Sequence, residues 1–157
     1  MRIQTGLLLA VALCLVMPTA AAVRGKDAMY VGGTISSIPE NTKGKFDLSD
    51  PSAARFGPKK GEPLAIPYER VTAIEYGQKA GRRVGAALVV SPLFLFSKKR
   101  KHYVTISFTD ENGQGQAAVF ELSKGVVHEV VSTFETRSGK KIEFESDEAR
   151  KQYEEAK

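Results

Sequence analysis

Cysteine occurs once, at position 14, and histidine only at positions 102 and 128. One cysteine cannot close an internal disulfide, and alone it makes no thiolate metal cluster. Long apolar runs are also missing. Gly6–Met17 offers 12 residues and Val84–Phe96 offers 13, against the about 20 that a membrane-spanning helix needs. Acid is absent before Asp27, so the first 26 residues carry only positive charge.

What stands at that end reads as a secretory signal. Arg2 precedes the apolar run Gly6–Met17, Pro18 breaks it, and Ala20 and Ala22 take the small-residue positions of a cleavage site after Ala22. An uncleaved anchor would need a longer run. Lipidation at Cys14 would need a small residue before it, where Leu13 stands. Cleavage removes Cys14 and leaves 135 residues with 22 Lys+Arg and 18 Asp+Glu, a mild net +4. That length fits one domain, residues 23–145, followed by a polar charged tail, 146–157. Small eukaryotic secreted domains lean on disulfides, so a disulfide-free exported chain points to a bacterial cell envelope, periplasmic or extracellular.

The remaining pattern is mostly short strands. Met29–Ile35 is the first, with Gly32-Gly33 marking a bulge or a close backbone approach. Lys45–Leu48 alternates, with Phe46 and Leu48 on one face. Ser49–Pro63, with Pro51, Gly57-Pro58, Gly61 and Pro63, reads as a long loop. Leu64–Pro67 and Val71–Tyr76 are strands joined by a bend at Tyr68-Glu69-Arg70. Ala86–Val90 and Leu93–Phe96 read as extended around Ser91-Pro92. His102–Phe108 and Gln116–Leu122 form a hairpin about Asn112-Gly113. Val126, Val127, Val130, Val131 and Phe134 then recur at helical spacing after a candidate N-cap, Ser123, and before a candidate C-terminal Gly139. Lys141–Phe144 reads as a last strand. Ser146 can cap the tail, which shows no apolar stripe and is expected as a solvated helix or a frayed end. The fold class is therefore mainly β (α+β): a partly open antiparallel barrel or sandwich of about seven strands, capped by one C-terminal amphipathic helix.

That layout, over about residues 30–144, resembles the pleckstrin-homology-like superfold with its GRAM and bacterial relatives. The stretch Ile66-Pro-Tyr-Glu-Arg-Val71-Thr-Ala-Ile74-Glu-Tyr76-Gly77 is similar to strand pairs of bacterial members, and the later hairpin and helix follow in the order the resemblance implies. Two features depart from it. Many eukaryotic members carry a tryptophan in the capping helix; this chain has none, and Phe134 stands where it could serve. The basic phosphoinositide motif of the first hairpin is reduced to Lys43 and Lys45, so phosphoinositide binding is not implied.

The strongest local constellation brackets Val84–Phe96. Arg82 and Arg83 precede it; Lys98, Lys99, Arg100 and Lys101 follow. In a strand, Leu93 and Leu95 face one way and Phe94 and Phe96 the other. Two readings stay open. The segment is either a core strand whose lysines deter edge pairing, or an apolar contact in a basic rim that meets an anionic membrane or a partner protein. Nucleic acid is set aside, since one basic cluster on an exported chain is a weak footprint.

Catalytic signals are weak. His128-Glu129 matches half of the zinc-protease pattern, but Ser132 stands where the second histidine should be; His128 reads as a surface residue, and His102 as a residue following the basic run. Ser138-Gly-Lys-Lys141 closes a helix rather than opening one, unlike the serine of an acyltransferase. Gly77, Gly81 and Gly85 lack the lysine and hydroxyl of a phosphate loop. Asp47 and Asp50 read as turn caps rather than calcium ligands. No catalytic residue, metal ligand or cofactor is assigned. The sequence reads as a non-enzymatic binding module touching lipid or protein through residues 82–102. The rivals are a small hydrolase or ligand carrier with its site in the barrel mouth, and a structural subunit of an envelope complex.

Overall fold

A computed structural model describes residues 26–77 and 101–156. The expected signal, the two strands within Val84–Phe96 and nine of the ten expected contact residues lie outside them. The described chain is mainly β. Its elements are β1 (Lys26–Gly33), β2 (Thr42–Asp47), β3 (Ala53–Pro58), β4 (Leu64–Pro67), a 3₁₀ turn (Tyr68–Arg70), β5 (Val71–Gly77), β6 (His102–Thr109), β7 (Gly115–Leu122), α1 (Lys124–Ser138), β8 (Ile142–Phe144) and α2 (Asp147–Glu154).

Eight strands make one sheet in the order β4-β3-β2-β1-β7-β6-β5-β8. It is not closed into a barrel: β4 and β8 are its edges. It is also mixed rather than purely antiparallel, because β8 runs parallel to β5, pairing Ile74 with Ile142 and Tyr76 with Phe144. The connection through α1 permits this, since parallel neighbours need a crossover. The bulge expected at the first strand is present, as a register shift between Tyr30 and Gly32 against β7.

The expected loop Ser49–Pro63 contains a strand, β3. Its prolines and glycines sit at the ends, while Ala54 and Phe56 alternate inward between β2 and β4 and are fully buried. Four-residue alternation between turn residues is too short to stand out, and ladder bonds from two neighbours decide it. The Ser49–Ser52 stretch is turn chemistry, as expected. The Ser49 amide and hydroxyl donate to Asp47 Oδ1, and those of Ser52 donate to Asp50 Oδ1, at 2.6–2.9 Å. These bonds and Arg55 hold the Asp50 carboxyl down at about 2.

One face of the sheet packs on α1. Val127, Val130, Val131 and Phe134 are buried there, as the stripe predicts. Phe46 of β2 lies at its centre, with ring centroids 5.4 Å from Phe56, 4.6 Å from Phe120 and 6.1 Å from Phe134. Gly44 makes room for this cluster: a Cβ there would come within 2.6 Å of the Phe56 ring and 2.5 Å of the Gly57 carbonyl oxygen. α1 ends where expected, at Gly139 with φ 72°, a left-handed conformation that glycine adopts without Cβ strain. Its start differs in one respect. Ser123 is the N-cap residue, but its side chain accepts no hydrogen bond.

The tail also departs from expectation. α2 is capped by Ser146, whose Oγ accepts from the Ala149 amide at 3.1 Å. Ala149, Gln152 and Ala156 are buried, and Tyr153 packs on the core. These four lie at i, i+3, i+4 and i+7, a docking face made of small and amphipathic residues rather than of aliphatic ones.

Replacing Phe46 by Ala removes the shared partner of three rings. We expect a loss of about 3–5 kcal/mol in denaturant unfolding, against a clearly smaller loss for Phe144→Ala, whose ring is only half-buried. Equal losses for the two would show that the cluster is not the centre of the core.

Candidate functional site

Of the expected contact residues Arg82, Arg83, Leu93, Phe94, Leu95, Phe96, Lys98, Lys99, Arg100 and Lys101, only Lys101 lies among the described ones. It stands just before β6, half-buried, and its Nζ is 2.7 Å from Glu121 Oε2 on β7. Its charge is therefore already paired, and the pair marks where the basic run meets the sheet.

Glu121 forms part of the wall of a groove of about 600 Å³ on the sheet face opposite α1. Strand alternation builds it. Gly44 and Phe46 point to the core, so Lys43 and Lys45 point outward. Lys45 stands opposite Gly57 of β3, which has no side chain to fill that face and leaves the floor open. The Lys59 amide donates to the Lys43 carbonyl at 2.8 Å and brings the third lysine alongside. Asp27 answers one of the three, 3.3 Å from Lys45 with both groups largely exposed. Such a pair contributes little to stability. Among the described residues Lys43 and Lys59 have no carboxylate within ion-pair distance. Ala28, Met29 and Leu122 supply the apolar part of the lining.

The sequence does not show this groove because Lys43 and Lys45 meet Lys59 across strands, and Lys59 lies in the stretch that reads as a loop. The signal was present in Lys43-Gly-Lys45, where two outward lysines flank an inward glycine.

Next to the groove, the same face is not uniformly wet. Val31, Tyr103 and Val119 are buried there, with Met29 packed against them. Burial pushes the Tyr103 hydroxyl up to about 12, with Glu121 beside it adding to the shift.

Both histidines sit at the seat of α2, His102 buried and His128 half-buried. His102 is in phase with Val104, Ile106 and Phe108, which turns it toward the core, and it is 8% exposed. Its Nδ1 lies 2.6 Å from the Tyr76 hydroxyl. Burial raises the Tyr76 pKa, so the phenol keeps its proton, and the direction of this hydrogen bond follows the tautomer of the imidazole. His128 Nε2–H donates to the Tyr153 carbonyl at 2.5 Å, and the two rings lie 3.9 Å apart. At the far end of α1, Arg137 Nη1 donates to the carbonyls of Leu48 and Asp50, each at 2.7 Å, and to the Tyr68 hydroxyl. That fixes the β2–β3 turn to the helix.

No group of three or more metal-ligating side chains occurs among the described residues. No helix among them is long and apolar enough to cross a membrane. No protein-family model matches the chain, and no curated protein matches it significantly.

Burial lowers the His102 pKa below its ordinary 6.5, and the charges of Lys124 and His128 add to the effect. The folded state thus takes up this proton less readily than the unfolded state. The stability from a neutral His102 is complete above about pH 6.5 and declines as the pH falls below it. We expect the melting temperature to drop between pH 7 and pH 5, and to drop less in His102→Gln, which keeps an acceptor but does not titrate. Asp50 titrates far below this window. Parallel curves for the two proteins would remove His102 as the cause.

Proposed function

We propose that the chain is an exported, non-enzymatic binding module of the cell envelope, built on a pleckstrin-homology-like scaffold. It touches an anionic membrane surface or a partner protein through residues 82–102 and the adjoining lysine groove. Export is supported by Arg2, the apolar run Gly6–Met17 and the small residues Ala20 and Ala22. The scaffold is supported by the order of seven strands followed by a helix packed across the sheet.

The observation behind the contact surface is the junction at Lys101–Glu121. The last residue of the basic run is bonded to a wall of the groove that holds Lys43, Lys45 and Lys59. The groove carries three lysines against Asp27 and Glu121, and the sequence of the basic run ends at the Lys101 that meets it. Each lysine near an anionic lipid surface contributes about 1 kcal/mol, weakened by salt.

Co-sedimentation with vesicles of anionic or neutral lipid tests this. Binding to the anionic vesicles alone, lost at high salt, is expected. Lys43→Ser with Lys59→Ser should weaken it roughly 20–30-fold, the equivalent of about 2 kcal/mol. Replacing Lys98, Lys99, Arg100 and Lys101 by Ser should weaken it further. Binding that ignores lipid charge, or that survives both sets of changes, rejects the membrane contact.

A further inference from the structure

The β4 edge of the sheet borders a cavity of about 350 Å³, which the β1–β2 connection and the β6–β7 turn complete. Ladder geometry decides what β4 presents there. The Tyr68 amide donates to the Ser52 carbonyl at 2.9 Å, and toward β4 the register continues with Ala53 opposite Pro67, Ala54 opposite Ile66 and Arg55 opposite Ala65. Antiparallel partners alternate between bonded and non-bonded pairs. Leu64 and Ile66 therefore bond to β3, while the N–H and C=O of Ala65 point away from it. β4 is the last strand on its side, and neither Ala65 group takes part in a further backbone hydrogen bond among the described residues. Pro63 and Pro67 flank Ala65 at two-residue spacing and have no N–H to offer. The edge is thus closed to a long added strand but open to a pairing one residue long.

The cavity beside this edge is apolar on its inner side. Ile35, Leu64 and Phe108 line it, all three packed in the core, and Phe108 is 4% exposed. The charged part of the lining is not compensated internally. Asp110 is engaged: its Oδ1 accepts from the amides of Asn112 and Gln114 at 2.9 and 2.8 Å, and its Oδ2 accepts from Gln116 Nε2 at 3.0 Å. Arg70 acts on Asp110 only through space. Arg70 is half-buried and Glu111 exposed, and among the described residues neither makes a hydrogen bond or an ion pair. One positive and one negative group therefore stand unpaired around a single apolar cavity.

We propose that this cavity binds a short peptide, of about two or three residues, that carries an apolar side chain. One of its residues pairs with Ala65 as an added strand does, and its side chain lies against Ile35, Leu64 and Phe108. Its terminal carboxylate meets Arg70 and its terminal ammonium meets Glu111. A simple anion would answer Arg70 but face Glu111, and an uncharged ligand would answer neither. The volume lies at the lower end of the ~300–1,000 Å³ that ligand sites span, which suits so small a peptide. The cavity shares no lining residue with the lysine groove, so this site does not depend on membrane contact.

The test is NMR titration of the isotopically labelled full chain with the tripeptide Ala-Leu-Ala. The Ala65 and Arg70 amide signals should shift saturably, while those of Lys43 and Lys59 in the groove stay in place. The same peptide acetylated and amidated at its ends should bind about tenfold more weakly or worse, for lack of terminal charges. Gly-Gly-Gly should weaken by about as much, for lack of an apolar side chain. Arg70→Gln and Glu111→Gln change side chains outside the core, so both variants should keep the melting temperature of the parent. In Arg70→Gln, amidating the carboxyl end should cost no further affinity, and in Glu111→Gln the same should hold for acetylating the amino end. The proposal is overturned if Ala-Leu-Ala gives no saturable shift, if the blocked peptide or Gly-Gly-Gly binds as tightly, or if either penalty persists in the variant that should remove it.

Discussion

Packing of four phenylalanine rings ties the two halves of the sheet to the helix. Phe46 and Phe56 come from β2 and β3, Phe120 from the central strand β7, and Phe134 from α1, with centroid separations of 4.6 to 6.1 Å. Buried aromatic pairs add directional attraction to a large apolar area. Tyr30 extends the cluster along β1, and Tyr68 meets Phe134 at the 3₁₀ turn. Besides this cluster, Arg137 of α1 ties the β2–β3 turn and Tyr68 to the helix. The four valines of α1 are weak helix formers, so the helix itself depends on the surface the rings provide.

A second, more polar seat holds the C-terminal helix. Tyr153 lies between His128 and the pair Tyr76 and Phe144, with centroids 3.9 to 5.5 Å away. Here the protein uses histidine and tyrosine where the main core uses phenylalanine. The result is a joint with titratable groups, one of them deprived of water, and with a buried amide, that of Gln152, that finds no partner among the described residues. The titratable His102 at this joint makes it responsive to protons, whereas the aromatic cluster is not.

The two faces of the sheet accordingly divide the work. The α1 face secures the fold. The opposite face presents Lys43, Lys45 and Lys59 around a floor left open by Gly57, and it receives the basic run at the Lys101–Glu121 pair. For the membrane contact proposed above, lysine places its charge on a flexible stem and does not demand the fixed fork geometry of arginine.

Sequence alone settled whatever has a short-range cause. Alternation at Val104, Ile106 and Phe108, the Asn112-Gly113 turn, the valine stripe of α1, the left-handed stop at Gly139 and the cap at Ser146 each follow from a few neighbouring residues. Elements set by distant neighbours were not legible. Strand β3 forms because β2 and β4 bond to it from both sides. β8 runs parallel because α1 carries the chain back across the sheet. α2 docks on Ala149, Gln152, Tyr153 and Ala156, which in one dimension resemble a solvated tail. The lysine groove and the seat of His102 are likewise contacts between segments far apart in the chain: Lys43 beside Lys59 beside Glu121, and His102 beside Tyr76 and Gln152. Pattern fixes which way a side chain faces, but only the tertiary structure decides what stands opposite it.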